Sequence, residues 1–303
     1  PLFTVGKDAD IEITPDMNGE ACLEQVWNRI VENDCGLKEY YTDFIDRIKE
    51  ELLETPFPFN KCNIENAYVN YHYLLKNDFT SRDLTLEKLV NYFHSSIYTT
   101  AIKGKPSLYE AWSDRNCLEK AIKSAIQFQR RISKDTVIDS LIDTDIAPKV
   151  TYFSPNTSYR IAKQFLLGFR TVIDPFAYFS GNLLGVTVAR PGTVYKGYCP
   201  NGLIVSESKN LIEFLDIENC SITCKDPLKI KGKADVLFTR MPDCRVEDYS
   251  LFDTIKTFMR NIDCKKYLFL VPYRTPGVSY AVAKTVYNKD SHNYEKLILI
   301  NKK

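Results

Sequence analysis

The chain has 303 residues, of which 44% are hydrophobic and 26% are charged, and its net charge is +1. This composition is typical of a globular protein with a sizeable core, and it excludes a fibrous or low-complexity chain. No apolar run approaches the roughly 20 residues that cross a bilayer, so we expect no membrane partner.

Residues 1–145 are predicted to form an acidic, mainly helical region. Apolar residues recur there at three- and four-residue spacings, within the segments 22–31, 37–53, 67–75, 84–98, 109–112, 117–128 and 136–142. The region holds 17 basic and 25 acidic side chains, a net charge of −8. It carries no motif that indicates chemistry. We expect it to pack on the rest of the chain, to mask it, or to hold a protein partner.

Residues 146–303 are predicted to form an α/β domain. Strand-like segments at 171–174, 194–198, 221–224, 234–239 and 267–271 alternate with helix-like segments at 158–169, 182–188, 206–215 and 249–260. Such alternation predicts a doubly wound, mostly parallel sheet. The last two apolar runs, 280–287 and 294–300, flank a polar turn and predict an antiparallel hairpin. A sheet with this ending resembles the layout of the class I methyltransferases.

The second half of the chain is basic, in contrast to the first. It holds 23 basic and 14 acidic side chains, a net charge of +9. The charge difference indicates either that the basic half binds a polyanion such as DNA or that the two halves attract each other. The basic residues near the fourth predicted strand form either a phosphate-contacting face or an ordinary solvated surface. The predicted nucleic-acid contacts are Lys229, Lys231, Lys233, Arg245 and Arg274.

The nine cysteines are odd in number and scattered along the chain. This distribution favours reduced thiols and a cytoplasmic location over a disulfide framework. Cys220 and Cys224 form the one closely spaced pair, and the three histidines show no matching spacing. Because a structural zinc site needs four ligands, we predict no metal.

The segment 171–185 holds the strongest local signal for a binding site. A β-branched run ends in Asp174, a turn containing Ser180 and Gly181 follows, and an apolar helix then begins. A strand, turn and helix in this order are where α/β proteins hold a nucleotide-like ligand. Tyr178 is unusual in this turn, because close approach of a ligand to the backbone favours glycine.

Five segments, in order, resemble the motifs of the amino-methylating, N6-adenine type DNA methyltransferases, especially the compact phage-borne ones. Residues 153–155 resemble the family's F-x-P, and residues 174–185 its D-P-F-A-G-x-G-G-R-L-L-G cofactor loop. Residues 195–201 resemble Y-x-G-x-D-x-N, and Asp226 resembles the acid after the next strand. Residues 235–243 resemble the catalytic D-x-x-x-T-S-P-P-Y.

This resemblance implies S-adenosylmethionine as the cofactor and DNA as the substrate. The positions that it implies for the cofactor are Pro155, Asp174, Phe176, Tyr178, Ser180, Gly181, Cys199 and Asp226. The positions that it implies for catalysis are Arg240, Pro242 and Asp243.

The chain departs from the family at several of these positions. Tyr178 and Ser180 replace glycines of the cofactor loop, and Cys199 replaces the acid that accepts hydrogen bonds from the ribose. Arg240 and Asp243 stand where the family has an acceptor for the target amino group and an aromatic ring for the flipped base. These changes predict a catalytically degenerate relative that binds nucleic acid or protein. The alternative is an active S-adenosylmethionine-dependent DNA adenine methyltransferase, or a related base-modifying enzyme, with a divergent pocket.

Overall fold

The computed structural model describes residues 36–59, 63–77, 85–102, 104–128, 130–148, 150–242, 250–272, 282–288 and 293–301. Its helices are α1 (Gly36–Glu54), α2 (Ile64–Lys76), α3 (Thr85–Phe93), α4 (Ser96–Thr99), α5 (Leu108–Trp112), α6 (Arg115–Gln127), α7 (Lys134–Asp143), α8 (Pro155–Phe165), α9 (Gly181–Ala189), α10 (Gly202–Phe214) and α11 (Leu251–Asn261). Its strands are β1 (Thr171–Asp174), β2 (Val194–Cys199), β3 (Cys220–Cys224), β4 (Gly232–Arg240), β5 (Ile262–Pro272), β6 (Val282–Asn288) and β7 (Asn293–Asn301).

The strands form one sheet in the order β3-β2-β1-β4-β5-β7-β6. Strands β1 to β5 are parallel to one another, whereas β7 runs antiparallel to both β5 and β6. The predicted doubly wound, mostly parallel sheet that ends in an antiparallel hairpin is therefore confirmed. The chain order reverses between β1 and β4, so the carboxyl ends of these two strands flank a crevice of the kind that binds ligands in open α/β sheets.

One predicted helix, at 84–98, is divided in the structure into α3 and α4. The division has a local cause: the backbone N–H of Ser96 donates to the side chain of Glu207 at 3.0 Å instead of continuing the helical ladder. Strand β5 begins at Ile262, five residues earlier than predicted, because its first residues pair with β4 from Gly232 onward. The predicted helix at 22–31 lies outside the described residues.

The chain divides into two compact units, and their composition differs from a single division between residues 145 and 146. One unit comprises the described residues within 1–59 and 98–150, and the other those within 60–97 and 151–303. Helices α2 and α3 thus belong with the sheet. Part of the reason is a buried contact between α2 and α9, in which the Tyr71 hydroxyl lies 3.4 Å from the Thr187 hydroxyl.

The core of the larger unit fixes the carboxyl ends of β1 and β4. Side chains from β1, β4, β5 and α11 form one apolar cluster, which includes Ile173, Leu237, Phe258, Phe269 and Val271. All five are less than 5% exposed, so the strand ends that flank the crevice rest on a close-packed base. No helix in the described ranges has both the length and the apolar character that crossing a membrane requires.

Candidate functional site

The turn between β1 and α9 has an unusual backbone. A single 3-10 turn, Tyr178–Ser180, follows Asp174, and helix α9 begins at Gly181. Phe179 and Ser180 both adopt left-handed conformations, with φ of 56° and 57°. Such conformations cost side-chain-bearing residues on the order of 1 kcal/mol each. The turn therefore follows a path that glycine adopts readily, while it carries side chains.

Close backbone packing brings three of the predicted motif segments together. A Cβ atom on Gly181 would lie 1.8 Å from the carbonyl oxygen of Phe153, so the start of α9 packs directly on the segment 153–155. Pro155 is buried at the first turn of α8. On the other side, a Cβ atom on Gly197 would lie 2.6 Å from the Ala177 side chain. The sequence-predicted segments 153–155, 174–181 and 195–201 thus meet at one place.

Asp174 is fully buried, and both of its carboxylate oxygens are occupied. Oδ1 accepts hydrogen bonds from the Phe176 backbone N–H at 3.0 Å and from the Thr239 hydroxyl. Oδ2 accepts from the Asn182 amide at 2.8 Å and from the Tyr195 hydroxyl. A carboxylate offers about four acceptor sites, and four donors fill them. Burial raises the pKa of Asp174, while the four donors act in the opposite direction.

A second buried network holds the turn from its other side. The Nε2 atom of His94 lies 3.2 Å from Ser180 Oγ, and the Nδ1 atom lies 3.2 Å from Glu207 Oε2. The imidazole also meets the Phe179 ring edge-on, with a centroid distance of 5.8 Å. Serine, histidine and glutamate in this order resemble a hydrolytic triad. However, His94 is 0% and Ser180 1% exposed, so a substrate has no access and the network serves to support the turn.

The charges in this network follow from burial and hydrogen bonding. Burial lowers the pKa of His94, so the imidazole is neutral near pH 7. For Glu207, burial acts to raise the pKa, but hydrogen bonds from His94, Ser96 and Ser95 outweigh it and hold the pKa below its usual value. Nδ1–H therefore donates to the glutamate, and Nε2 accepts from the Ser180 hydroxyl.

Aromatic side chains pack beside the turn, on the side of the crevice. Phe176 is 3% exposed and belongs to the same apolar cluster as Met241 and Phe258. Tyr178 is half-buried and stacks on Phe176, with ring centroids 6.1 Å apart and an interplanar angle of 12°. The ring that replaces a glycine of the family loop is therefore packed against the core, and Phe179 is itself buried at 3% exposure.

The two remaining cofactor positions differ from each other. Cys199, at the end of β2, is fully buried, and its thiol lies 3.8 Å from the Asn201 carbonyl oxygen. Asp226, after β3, accepts from the Leu228 backbone N–H at 3.0 Å and pairs with Lys229 at 3.3 Å. The acid at 226 thus caps a short 3-10 turn, and its side chain remains 41% exposed.

The segment with the catalytic-motif resemblance begins at the carboxyl end of β4. Arg240, the last residue of β4, is 9% exposed and follows Thr239, whose hydroxyl binds Asp174. The next residue, Met241, donates its backbone N–H to the Leu270 carbonyl at 2.8 Å, and Pro242 is half-buried. A buried arginine therefore occupies the position where the resemblance expects an acceptor. Asp243 lies outside the described residues.

The structure does not bring the predicted lysines to this site. Lys229, Lys231 and Lys233 are exposed, but they lie before or at the amino end of β4, whereas the crevice is at the carboxyl ends of β1 and β4. Lys233 is 3.9 Å from Asp263, so part of this charge is neutralised. Arg245 and Arg274 lie outside the described residues. Among the residues described, no group of three or more metal-ligating side chains occurs.

Comparisons with known proteins find similarity at the level of structure. No family model and no curated protein matches the sequence. A methyltransferase from Geobacter sulfurreducens is 13% identical, with a TM-score of 0.39 over 54% of this chain and 86% of that one. A ribosomal protein L11 methylase from Lactobacillus delbrueckii is 13% identical, with a TM-score of 0.38 over 49% and 79%. TrmN from Thermus thermophilus is 14% identical, with a TM-score of 0.40 over 49% of each chain.

At these values the similarities carry no conclusion about the activity or the partners of this chain. The description of the fold rests on the chain's own strand order and on the antiparallel strand β7 beside β5.

The sequence analysis missed His94 and Glu207. They lie 86 and 27 positions from Ser180, and no local pattern connects them. A weak signal exists, because His94 and Ser96 interrupt an otherwise apolar helical stripe. Polar side chains on a core-facing stripe indicate a buried hydrogen-bond network.

Proposed function

We propose that this chain is a methyltransferase-fold protein that does not transfer a methyl group and that binds nucleic acid. The observation that carries the first part is the environment of Asp174, the one acid of the cofactor loop. All of its acceptor sites are occupied within the fold, so it has none left for the amino-acid end of a cofactor.

Two further features of the crevice support a loss of cofactor binding. Cys199 places a buried thiol, a weak acceptor, where the ribose hydroxyls would need a carboxylate. Tyr178 covers Phe176 at the turn. Each lost polar contact costs about 1–3 kcal/mol, and each 1.4 kcal/mol reduces affinity about tenfold. Together these changes weaken the binding of S-adenosylmethionine by orders of magnitude.

The residue at the place where the related methyltransferases bind the target base supports the same proposal. Arg240 has five N–H donors and no acceptor, so it does not accept a hydrogen bond from the amino group of a base. A flipped adenine also needs an aromatic or apolar face to stack on.

The second part of the proposal rests on charge. The segment 146–303 has a net charge of +9, and Lys229, Lys231 and Lys233 are exposed before or at the amino end of β4. Closely spaced, exposed cations favour contact with the phosphates of DNA, which is sequence-independent and depends on salt.

The first test is a calorimetric titration with S-adenosylmethionine and S-adenosylhomocysteine. We expect no measurable binding of either by the unaltered chain. The double variant Tyr178→Gly/Ser180→Gly removes the stacked ring and the side chain in the left-handed turn, so its binding of the cofactor is expected to become measurable. Tyr178→Phe keeps the ring and serves as the matched control, with no gain.

Two results of this titration would contradict different parts of the proposal. A micromolar Kd for the unaltered chain overturns the proposal and favours the active, divergent DNA adenine methyltransferase. A folded double variant that gains no affinity contradicts the placement of Tyr178 over the cofactor position. Thermal unfolding of each variant separates this outcome from a loss of fold.

The second test measures DNA binding by fluorescence anisotropy over a range of salt concentrations. We expect affinity to fall steeply with salt. Changing Lys229, Lys231 and Lys233 to alanine should weaken binding and reduce the slope of log K against log salt by up to about 3, because each lost phosphate contact removes about 0.9. The matched control changes Lys120, Lys123 and Lys134 to alanine, because these lysines are exposed in the acidic region 1–145. An unchanged slope contradicts the proposal that these three lysines contact phosphates. If the chain does not bind DNA at all, the result favours a protein partner.

A further inference from the structure

Two cysteines end neighbouring strands at the same level of the sheet. Cys199 is the last residue of β2, Cys224 is the last residue of β3, and the two are direct partners in the parallel register. Neighbouring strands lie about 4.8 Å apart. This spacing falls within the range of Cα separations, about 4.4–6.8 Å, that a disulfide spans.

The side chains of the two cysteines lie on the same face of the sheet. Residues two apart on a strand share a face of the sheet. Cys199 therefore lies on the same face as Gly197, and Cys224 on the same face as Ile222. Gly197 and Ile222 are themselves register partners. A Cβ atom on Gly197 would lie 3.1 Å from the Ile222 side chain, which places these two positions face to face. The same alternation brings Cys199 and Cys224 next to each other.

The two thiols also contact adjacent groups of one turn. The Sγ atom of Cys199 lies 3.8 Å from the Asn201 carbonyl oxygen, and the Sγ atom of Cys224 lies 3.5 Å from the Pro200 carbonyl oxygen. Cys224 therefore reaches across to the residue that follows Cys199. This contact brings its sulfur to the end of β2 rather than outward from the edge of the sheet.

The accessibility of the two sulfurs differs in a way that suits stepwise oxidation. Cys224 is exposed, whereas Cys199 is buried. We propose that Cys199 and Cys224 form a reversible disulfide when a peroxide oxidises the protein, with Cys224 reacting first and Cys199 resolving. The proposal is independent of whether the chain binds S-adenosylmethionine.

The reaction balances in two steps. The Cys224 thiolate attacks one peroxide oxygen, the O–O bond breaks, and Cys224 becomes a sulfenic acid with release of water or an alcohol. The Cys199 sulfur then attacks the Cys224 sulfur, the S–O bond breaks, and a second water leaves with the thiol proton. The two thiols lose two electrons in total, which the peroxide gains. A dithiol reductant reverses the reaction by exchange.

Cys220 provides an internal comparison on the same strand. It is the register partner of Tyr195 at the other end of β3, so no cysteine lies opposite it. Burial raises its pKa to about 12, which keeps it in the unreactive thiol form.

The experiment treats the chain of 303 residues with a small excess of hydrogen peroxide and blocks the remaining thiols with N-ethylmaleimide. Tryptic digestion then releases the segment 197–209, which contains Cys199, and the segment 210–225, which contains both Cys220 and Cys224. We expect a cross-linked pair of these peptides that disappears after reduction. Its mass is the sum of the two peptides, less two hydrogens, plus one N-ethylmaleimide on Cys220.

Cysteine-to-serine variants identify the two cysteines that form the disulfide. Cys220→Ser should keep the cross-link, and Cys224→Ser and Cys199→Ser should each abolish it. The proposal is overturned if the unaltered chain gives no cross-link while Cys224 is oxidised to sulfinic acid. It is also overturned if the cross-link survives in Cys224→Ser, because Cys220 would then be the partner.

Discussion

Asp174→Ala is expected to lower the free energy of unfolding by about 4 kcal/mol or more. The change leaves four buried donors without an acceptor, and a buried unsatisfied polar group costs about 1–3 kcal/mol. Urea denaturation followed by circular dichroism measures the loss. Asp226→Ala is the matched control, because this acid also follows a strand and caps a short turn but is 41% exposed, so we expect a loss below about 1 kcal/mol.

Asp174→Asn keeps the shape of this side chain but removes part of its hydrogen-bond acceptors, so it distinguishes the two contributions to stability. The amide keeps one oxygen, which accepts from two donors, and it turns its NH2 group toward the other two. An intermediate loss of stability is expected. Equal stability of Asp174→Ala and the unaltered chain would show that the four donors find other partners, and it would also remove the main support for the proposed loss of cofactor binding.

Gly181→Ala is expected to be as damaging, for a steric reason. The added Cβ would lie 1.8 Å from the Phe153 carbonyl oxygen, and real Cβ contacts essentially never fall below 3.0 Å. Because the obstacle is backbone rather than a mobile side chain, either α9 or the segment before α8 must shift. We expect a loss of about 3 kcal/mol or more in the free energy of unfolding, again measured in urea.

Gly202→Ala is the matched control for this change. Gly202 begins α10 in the same manner as Gly181 begins α9, and nothing lies within 4 Å of its added Cβ. Alanine should leave stability unchanged or raise it by up to about 1 kcal/mol, because it loses less conformational entropy than glycine in a helix. Equal behaviour of the two variants would contradict the close approach of α9 to Phe153.

The sheet was predictable because its signals are local. Strand β1 matches the predicted segment 171–174, because a short β-branched run that ends at Asp174 is typical of a buried strand. The C-terminal hairpin follows from two apolar runs and a polar turn. The grouping of α2 and α3 with the sheet was not predictable, because helical periodicity identifies an apolar face but not the element that covers it.

The site was predictable only in part. The turn, Asp174 and Gly181 follow from the strand, turn and helix pattern, and the structure brings them together. The support from His94 and Glu207 depends on contacts between residues far apart in the sequence. The pairing of Cys199 with Cys224 likewise needed the strand register, which the sequence spacing of 25 residues does not contain.

The environment of Asp174 also constrains how the protein folds. Three of its four donors come from residues 8, 21 and 65 positions away, on α9, β2 and β4. An intermediate in which β1 pairs with β2 before β4 arrives has either a hydrated carboxylate or a buried one that lacks the Thr239 donor. Since burying a carboxylate without its partners is costly, we expect the strand to stay solvated until β4 docks. We therefore expect closure of the long loop between β1 and β4 to contribute to the folding barrier.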